Sequence, residues 1–545
     1  MRMPLLFLLA LSCASPTQAP LKYFSDDPAS DSASEPDTGA PAGDSAASDT
    51  ADPSPTDTGA GCDVCPASTA SSARSLDPDL LTQDVSRTFE NPLRGFMTSY
   101  LWGAPVTDFP DQMEFLYLPM NELWGPGGET LEAGLEPYLV AAEARGHHAV
   151  LRVFVDYPSR LSGLPEYLAG SVSCQAYDDF GGGCSPDYDH PELVAAMLGL
   201  IEALGERYDG DVRLGFVQVG LLGFWGEWHT WPHSDWFPSE DTQRAVLDAY
   251  SEAFTTTQLQ IRRAAVHSVD LRMGFHDDSF AYSTLGDVDW FFLPGLEAAG
   301  ADERWQSVAI GGELRPELQG SVFADDYAID TYSQDVVECI EATHTSYLLN
   351  YHAFNGDETG YLGTDRERAE DAALAMGYRF ELAAATLQLT GLQDGLVDAA
   401  VEVEVAQRGV APFYYPLFLT LQLDGLEDVY VSDDDLHTLL PEEQRVVSFE
   451  LGRIPVESLQ SPLVLELRSD ILQSSQQIAF ATSTPWTTPD GATSLLWEVQ
   501  CASDSGAVPL GAVHSRMDSG CDCVCDVDGE LRTCGGTPCG PAAVD

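Results

Sequence analysis

The sequence predicts a (β/α)8 TIM-type barrel followed by an antiparallel β-sandwich. A disordered acidic tether precedes them and a cysteine-rich tail follows. Three observations carry this reading. Apolar runs of strand length alternate with helical patterns from about Phe89 to Phe380, as parallel strands joined by crossover helices require. After Phe380 the apolar period changes to two, which suits half-buried antiparallel strands. From Ser25 to about Thr88 there is no aromatic residue, so that stretch cannot bury enough apolar surface to offset chain entropy.

Composition sets the outer limits. Hydrophobic residues make up 44% of the 545 positions and aromatics 10%, which excludes wholesale disorder. The 25 basic and 87 acidic side chains leave a net charge of −62, and Lys22 is the only lysine. That balance excludes non-specific nucleic-acid binding and attachment to anionic lipid through basic patches.

The elements follow in chain order. Residues 1–13 read as a signal peptide: one arginine, then the apolar run Leu5 to Leu11, too short to span a bilayer. The run ends Ala10-Leu11-Ser12-Cys13. This resembles a bacterial lipobox, in which the cysteine becomes the lipid-bearing first residue. Residues 14–88 are the tether, rich in Asp, Ser, Ala, Thr, Pro and Gly. Such a tether would hold a globular domain away from a membrane. No later stretch is long and apolar enough for a membrane-spanning helix.

The barrel is expected over residues 89–380. Candidate strands lie near Gly95–Leu101, Phe115–Met120, Ala149–Val155, Leu214–Leu222, Leu259–Arg263, Leu271–Phe275, Ser307–Gly312 and Ser346–Tyr351. Between them, Leu131–Arg145 carries a 3.6-residue apolar stripe ending at Gly146, a natural helix terminator, and Pro191–Tyr208 and Ser239–Thr256 are similar. A doubly wound open sheet would need a glycine-rich phosphate loop after its first strand, and none is present. Residues 381–500 form the sandwich, with alternation in Val401–Val405, Phe418–Leu423 and Leu463–Leu467. In residues 501–545 six cysteines crowd together, Cys501, Cys521, Cys523, Cys525, Cys534 and Cys539. That reads as a small disulfide-stapled tail, with calcium or zinc binding as the other reading of the Cys521–Gly529 run. Cys174 and Cys184 bracket a glycine-rich loop where a disulfide fits, Cys62 and Cys65 sit in the tether, and Cys339 lies in a helical pattern as a buried thiol.

In a barrel of this kind the chemistry sits where strands end and loops begin. The third candidate strand holds Arg152, and the fourth is followed by Trp225, Glu227, Trp228, His229 and Trp231. The sixth ends His276-Asp277-Asp278, the seventh Gly312-Glu313, and the eighth Asn350-Tyr351-His352. Glu227 and Glu313 are the candidate catalytic pair, because glycoside hydrolysis needs one protonated and one ionised carboxyl group flanking a single bond. Gly226 and Gly312, just before them, would let backbone or sugar come close. Arg94, Arg152, Trp225, Trp228, His229, Trp231, His276, Asp277, Asn350, Tyr351 and His352 are candidate substrate-binding residues. Tryptophan faces suit sugar rings, and His or Arg suit hydroxyls and carboxyl groups. Each has a plainer reading, Glu as a structural partner for Arg152 or Arg94, and tryptophan as core. A metal site from His276, Asp277, Asp278, His229, His352 and Glu313 is a further alternative, but no HxH or HExxH spacing supports it. No metal or cofactor is assigned.

The motifs Asn91-Pro92-Leu93-Arg94-Gly95-Phe96, Gly226-Glu227-Trp228-His229, Gly311-Gly312-Glu313, Tyr347 to His352 and Gly377-Tyr378-Arg379-Phe380 resemble those of a bacterial family of exported proteins. That family is defined by two adjacent domains of unknown function and is similar to glycoside hydrolases of the large retaining barrel clan. The resemblance spans about Phe89 to Leu496. It implies the nucleophile's position for Glu313, and a C-terminal sandwich with Gly409-Val410-Ala411-Pro412-Phe413-Tyr414 at the matching place. The clan carries Asn before its strand-four acid, and this chain has Gly226. The sequence thus leads to an exported glycoside-hydrolase-like protein of the bacterial envelope or secreted space, with carbohydrate as its partner. Glu313 would be the nucleophile and Glu227 the general acid/base. A non-catalytic glycan-binding lipoprotein and a metal-dependent hydrolase are the alternatives.

Overall fold

The computed structural model describes residues 71–497, except 129, 356–359, 394–395, 424–427, 456–457, 460 and 489–491. Beyond 497 it describes only the short strands Gln500–Ser503, Gly506–Pro509, Val524–Cys525 and Leu531–Arg532. The signal peptide, the lipobox, Cys62, Cys65 and most of the cysteine-rich tail lie outside the described residues.

Eight parallel strands form one sheet: β1 Gly95–Met97, β2 Met113–Pro119, β3 His148–Phe154, β4 Leu214–Gln218, β5 Gln258–Ile261, β6 Gly274–Phe280, β7 Ile310–Leu314 and β8 Thr345–Leu349. Each strand pairs with its sequence neighbours, β8 pairs with β1, and a parallel bridge between Thr98 and Glu114 joins β1 to β2, which closes the ring. All eight expected strands are present. Helices α1 Leu131–Glu143, α2 Pro191–Tyr208, α3 Glu240–Ala253, α4 Phe292–Ala298, α5 Val336–Thr343 and α6 Thr364–Ala375 wrap the outside. The connections from β1 to β2 and from β5 to β6 carry only single 3-10 turns, so the units are less regular than eight strand–helix repeats.

Period two within the strands decides which side chains enter the barrel. On β3, Leu151 and Val153 face the helices while Val150, Arg152 and Phe154 point inward. The inward set below the mouth is apolar: Met97, Met113, Phe115, Val150 and Phe216. It continues without a break into the sandwich core of Leu382, Leu387, Val403, Leu419 and Leu465.

The sandwich pairs β9 Phe380–Gln393, β10 Leu396–Gln407 and β13 Gln444–Pro455 in one sheet, and β11 Phe418–Leu423, β12 Val429–Asp435, β14 Leu463–Arg468 and β15 Thr493–Leu495 in the other. It is bolted to the N-terminal ends of the barrel strands. Tyr415 Oη donates to Gly215 O and accepts from Gln258 N, His148 Nε2 meets Ile471 O at 2.9 Å, and Asn91 exchanges two bonds with Ala479. The module therefore seals the barrel floor and leaves the opposite end as the mouth.

Part of the stretch expected as tether is paired with the sandwich. Ser71–Ser75 pairs antiparallel with β9 as an edge strand of the sandwich, and Thr82–Gln83 pairs with Thr482–Ser483. Backbone pairing there needs no aromatic side chain, which is why composition put the boundary at residue 88. Cys174 and Cys184 pair across a hairpin with Cα atoms 5.4 Å apart, the spacing a disulfide needs. Cys339 is a buried free thiol. Among the described residues no helix is long and apolar enough to cross a membrane.

Arg94 belongs to this scaffold and not to a substrate site. Its buried guanidinium donates to Thr88 O, Thr88 Oγ1, Met376 O, Ala373 O and Leu374 O. It thereby satisfies the otherwise unpaired carbonyls at the end of α6. Removing it leaves several buried acceptors without a donor. Arg94→Met is expected to lower unfolding free energy by about 3 kcal/mol, measured by equilibrium chemical denaturation. An unchanged denaturation midpoint would overturn this assignment.

Candidate functional site

The inward positions nearest the mouth are polar, and they converge on one buried cation. Arg152 of β3 is 2% exposed. Its Nε donates to Gln218 Oε1 at 2.7 Å, Nη1 to Glu227 Oε1 at 3.1 Å, and Nη2 to Asp278 Oδ1 at 2.5 Å. His276 Nδ1 stands 3.2 Å from Nη2 and 3.0 Å from Asp278 Oδ1. The other Asp278 oxygen lies 2.8 Å from Nε of Arg262, an ion-pair contact without hydrogen-bond geometry. Gln218 Nε2 donates to Tyr347 Oη, which in turn donates to Gln260 Oε1. The Tyr347 ring can cross the barrel because Gly311 faces it; a Cβ there would lie 2.4 Å from the ring.

Glu227 reaches this network from the β4–α3 loop, which is folded back on itself. Trp228 N donates to Leu222 O, Phe224 N to His229 O, and the Trp228 indole to Val219 O at 2.7 Å. Tyr117 Oη holds Trp225 O. Gly226 takes φ +68° with Val153 O only 3.0 Å from where a Cβ would sit, so backbone, not sugar, fills the space beside it. The loop thus aims Glu227 at Arg152, with His229 Nε2 at 3.5 Å from its second oxygen. Glu313 arrives from β7. One carboxylate oxygen each of Glu227, Asp278 and Glu313 lies within 4.8 Å of the others.

Electrostatics bias Glu313 and Asp278 in opposite directions. Burial, then the negative Glu227 nearby, holds the Glu313 carboxyl well above the ordinary range, with Arg152 opposing. Asp278 is held far below the usual range: Arg152, His276 and Arg262 all favour its ionised form and outweigh its burial. Burial lowers His276 and His229, and burial raises the phenol of Tyr157, which stands among Arg160, Glu313, Glu227 and Arg152.

Of the residues singled out from sequence, Arg152, Glu227, His229, His276 and Glu313 share this cluster. Trp225 packs beside it against Phe180, Tyr157 and His229, and Trp231 is 62% exposed further out, 5.9 Å from Phe180. Trp228 is buried core and offers no face to a ligand. Asn350 is buried against Tyr361. Tyr351 lies edge-on to Trp102 and His352 beside Tyr361, on the β8 side of the mouth. Asp277 faces outward: its oxygens accept from Thr284 Oγ1 and Ser279 N beneath the helices. Its neighbour Asp278 is the carboxylate in the cluster. Strand alternation held that information, since His276 and Asp278 share a phase that excludes Asp277. Arg262, Gln218 and Tyr117 had no motif to mark them.

Three carboxylates this close invite a cation, and a guanidinium already supplies it. Arg152 bonds two of the three directly, and His276 Nδ1 faces Asp278 and Arg152. That arrangement does not fit a metal centre built on the same groups.

No family model matches the chain, and no curated protein is similar to it in sequence. Solved structures to which the chain bears a distant likeness include the two that follow. Endo-glycoceramidase II from Rhodococcus sp., captured as a lactosyl-enzyme intermediate, is 12% identical over 68% of this chain and 99% of its own, with a TM-score of 0.35. A GH5_18 protein from Bifidobacterium longum subsp. longum, in complex with Manβ1-4GlcNAc, is 14% identical over 48% of this chain and 68% of its own, with a TM-score of 0.28.

Burial raises Asp277 to about 6, against a usual value near 3.8. The folded state therefore binds a proton that the unfolded chain has released between about pH 4 and 6. Stability from this group is present below pH 4 and is lost as pH rises to 6. Asp277→Asn removes the loss, about 3 kcal/mol over the full pH range. Melting temperatures at pH 4.5 and 7.5 should lie closer together in the variant than in the parent, and an unchanged gap would refute the assignment.

Proposed function

We propose that this protein is an exported glycoside hydrolase acting on poly- or oligosaccharide by a two-carboxylate mechanism. The observation that supports it is the Glu227–Glu313 pair at the barrel mouth, with oxygens within 4.8 Å, Glu227 bonded to Arg152 and Glu313 biased toward its protonated form by burial. A gap of about 5–5.5 Å serves a retaining mechanism, whereas inversion needs room for a water between the carboxyl groups. Export rests on the short apolar N-terminal run, and the Cys174–Cys184 pair suits an oxidising compartment. Cys13 would carry the lipid if the chain is anchored.

The roles we assign run opposite to the expectation from resemblance. Glu227 is held by a guanidinium, while burial favours the protonated form of Glu313. Glu313 then donates to the glycosidic oxygen as the bond breaks, and Glu227 closes on the anomeric carbon. In the second step Glu313 takes a proton from water, which attacks and releases Glu227. Arg152 positions the nucleophile, and Asp278 and Gln218 position Arg152.

The same Arg152–Glu227 bond favours a second reading, in which Glu227 is permanently occupied and the mouth binds glycans without cleaving them. Turnover separates the two. Glu227→Gln and Glu313→Gln are each expected to lower hydrolysis of a natural-type glycan about a thousandfold while sparing binding. An aryl glycoside whose leaving group needs no proton should form the glycosyl-enzyme with Glu313→Gln but not with Glu227→Gln. Because Glu313 acts protonated, kcat/KM should fall as pH rises through its raised value. A covalent adduct mapped to Glu313 would reverse the roles, and wild-type rates in both variants would end the hydrolase proposal.

A further inference from the structure

Most large exposed apolar side chains of the barrel belong to loops at its mouth, and one group is built with unusual care. Trp290, in the loop between β6 and α4, is 63% exposed, and Tyr332, between β7 and α5, is 42% exposed. Their rings are near-parallel, 27° apart at 6.5 Å. Tyr332 lies 29° from Tyr282 at 5.4 Å, and the Arg315 guanidinium covers Tyr282 at 3.7 Å. Trp290 is fixed from behind by buried Phe291, edge-on at 4.7 Å.

The base of this array is rigid. Buried Gln334 joins the two loops: its Oε1 accepts from Thr284 N and Leu285 N, its Nε2 donates to Leu285 O and Thr331 O, and its own N–H reaches Ala281 O. Arg315, two residues after Glu313, donates its N–H to Phe280 O at the end of β6. The array therefore starts at the strand ends that carry the catalytic candidates and runs outward to an uncovered indole. Leaving a pinned tryptophan in water gains nothing for the fold. A preorganised aromatic surface gains its worth when a partner with an apolar face covers it.

We propose that Trp290, backed by Tyr332, is a stacking platform for a pyranose ring of the glycan beyond the bond that is cut. This rests on the hydrolase reading for its position and assigns preference for longer chains. The ring's C–H face lies on the indole, and Arg315 with Tyr282 holds the inner end of the array toward the mouth.

The full chain is titrated with β-linked gluco- and manno-oligosaccharide ladders, from disaccharide to hexasaccharide. Hydrolysis of the same ladders is followed separately. Affinity should rise with length in the parent. Trp290→Ala should bind the longest members about tenfold more weakly and the disaccharides unchanged, while Trp290→Phe keeps most of the gain. An unaltered melting temperature excludes misfolding. The same length dependence in Trp290→Ala and parent would overturn the platform and leave the hydrolase proposal standing. Length-dependent binding through Trp290 without any cleavage would leave the platform and overturn hydrolysis. No binding of either ladder by the parent would overturn the platform.

Discussion

The buried guanidinium of Arg152 is the constraint on which the mouth of the barrel depends. A cation removed from water is costly unless every face of it is paired, and here Gln218, Asp278 and Glu227 take its protons with His276 alongside. Those partners come from β4, β6 and the β4–α3 loop. One side chain of β3 therefore ties β4 and the loop that follows it to β6, further along the chain. The strained loop after β4, with positive φ at Leu221, Gly223, Trp225, Gly226 and Trp228, is held in a shape that brings Glu227 to this cation.

The polar layer is possible because the layers below it are not polar. The sandwich closes the barrel floor and continues the barrel's apolar interior in a single core. Apolar side chains pack beneath Arg152, so its charge interactions act in a poorly solvated setting. The sandwich thus contributes to the site without touching it. His148 shows the same division: it lies at the floor, bonded to Ile471 O, and burial lowers it to about 4, so it stands there as a neutral strut.

How much of this the sequence revealed follows from the range of each interaction. The eight strands were legible because burial on two faces writes a run of apolar residues into each of them. Glu227, Glu313 and Arg152 were legible because strand ends point at one face. Asp277 and Asp278 are alike in type and adjacent on β6, and only the phase of the strand, set by His276 pointing inward, tells them apart. Arg94 and Trp228 carry chemistry that suits a ligand, but their partners are backbone carbonyls, which leave no trace in a sequence. The strand Ser71–Ser75 was hidden for the same reason: it is recruited by the free edge of β9, and its own composition is that of a linker.

Charge balance explains why the proton stays on Glu313. Arg152 and Arg262 contribute two positive charges, and Glu227 and Asp278 two negative ones, joined by hydrogen bonds from Arg152 and an ion-pair contact from Arg262. That set is neutral as it stands. Ionising Glu313 would add an uncompensated charge beside Glu227 in a place where burial already disfavours it. Burial and the neighbouring carboxylate thus favour a state in which Glu313 holds its proton beside Glu227. Asp278 is part of that balance because it binds both arginines, and its place is in the support of the pair. Without it, Arg152 would be free to neutralise Glu313 as well as Glu227, and the difference between the two glutamates would disappear.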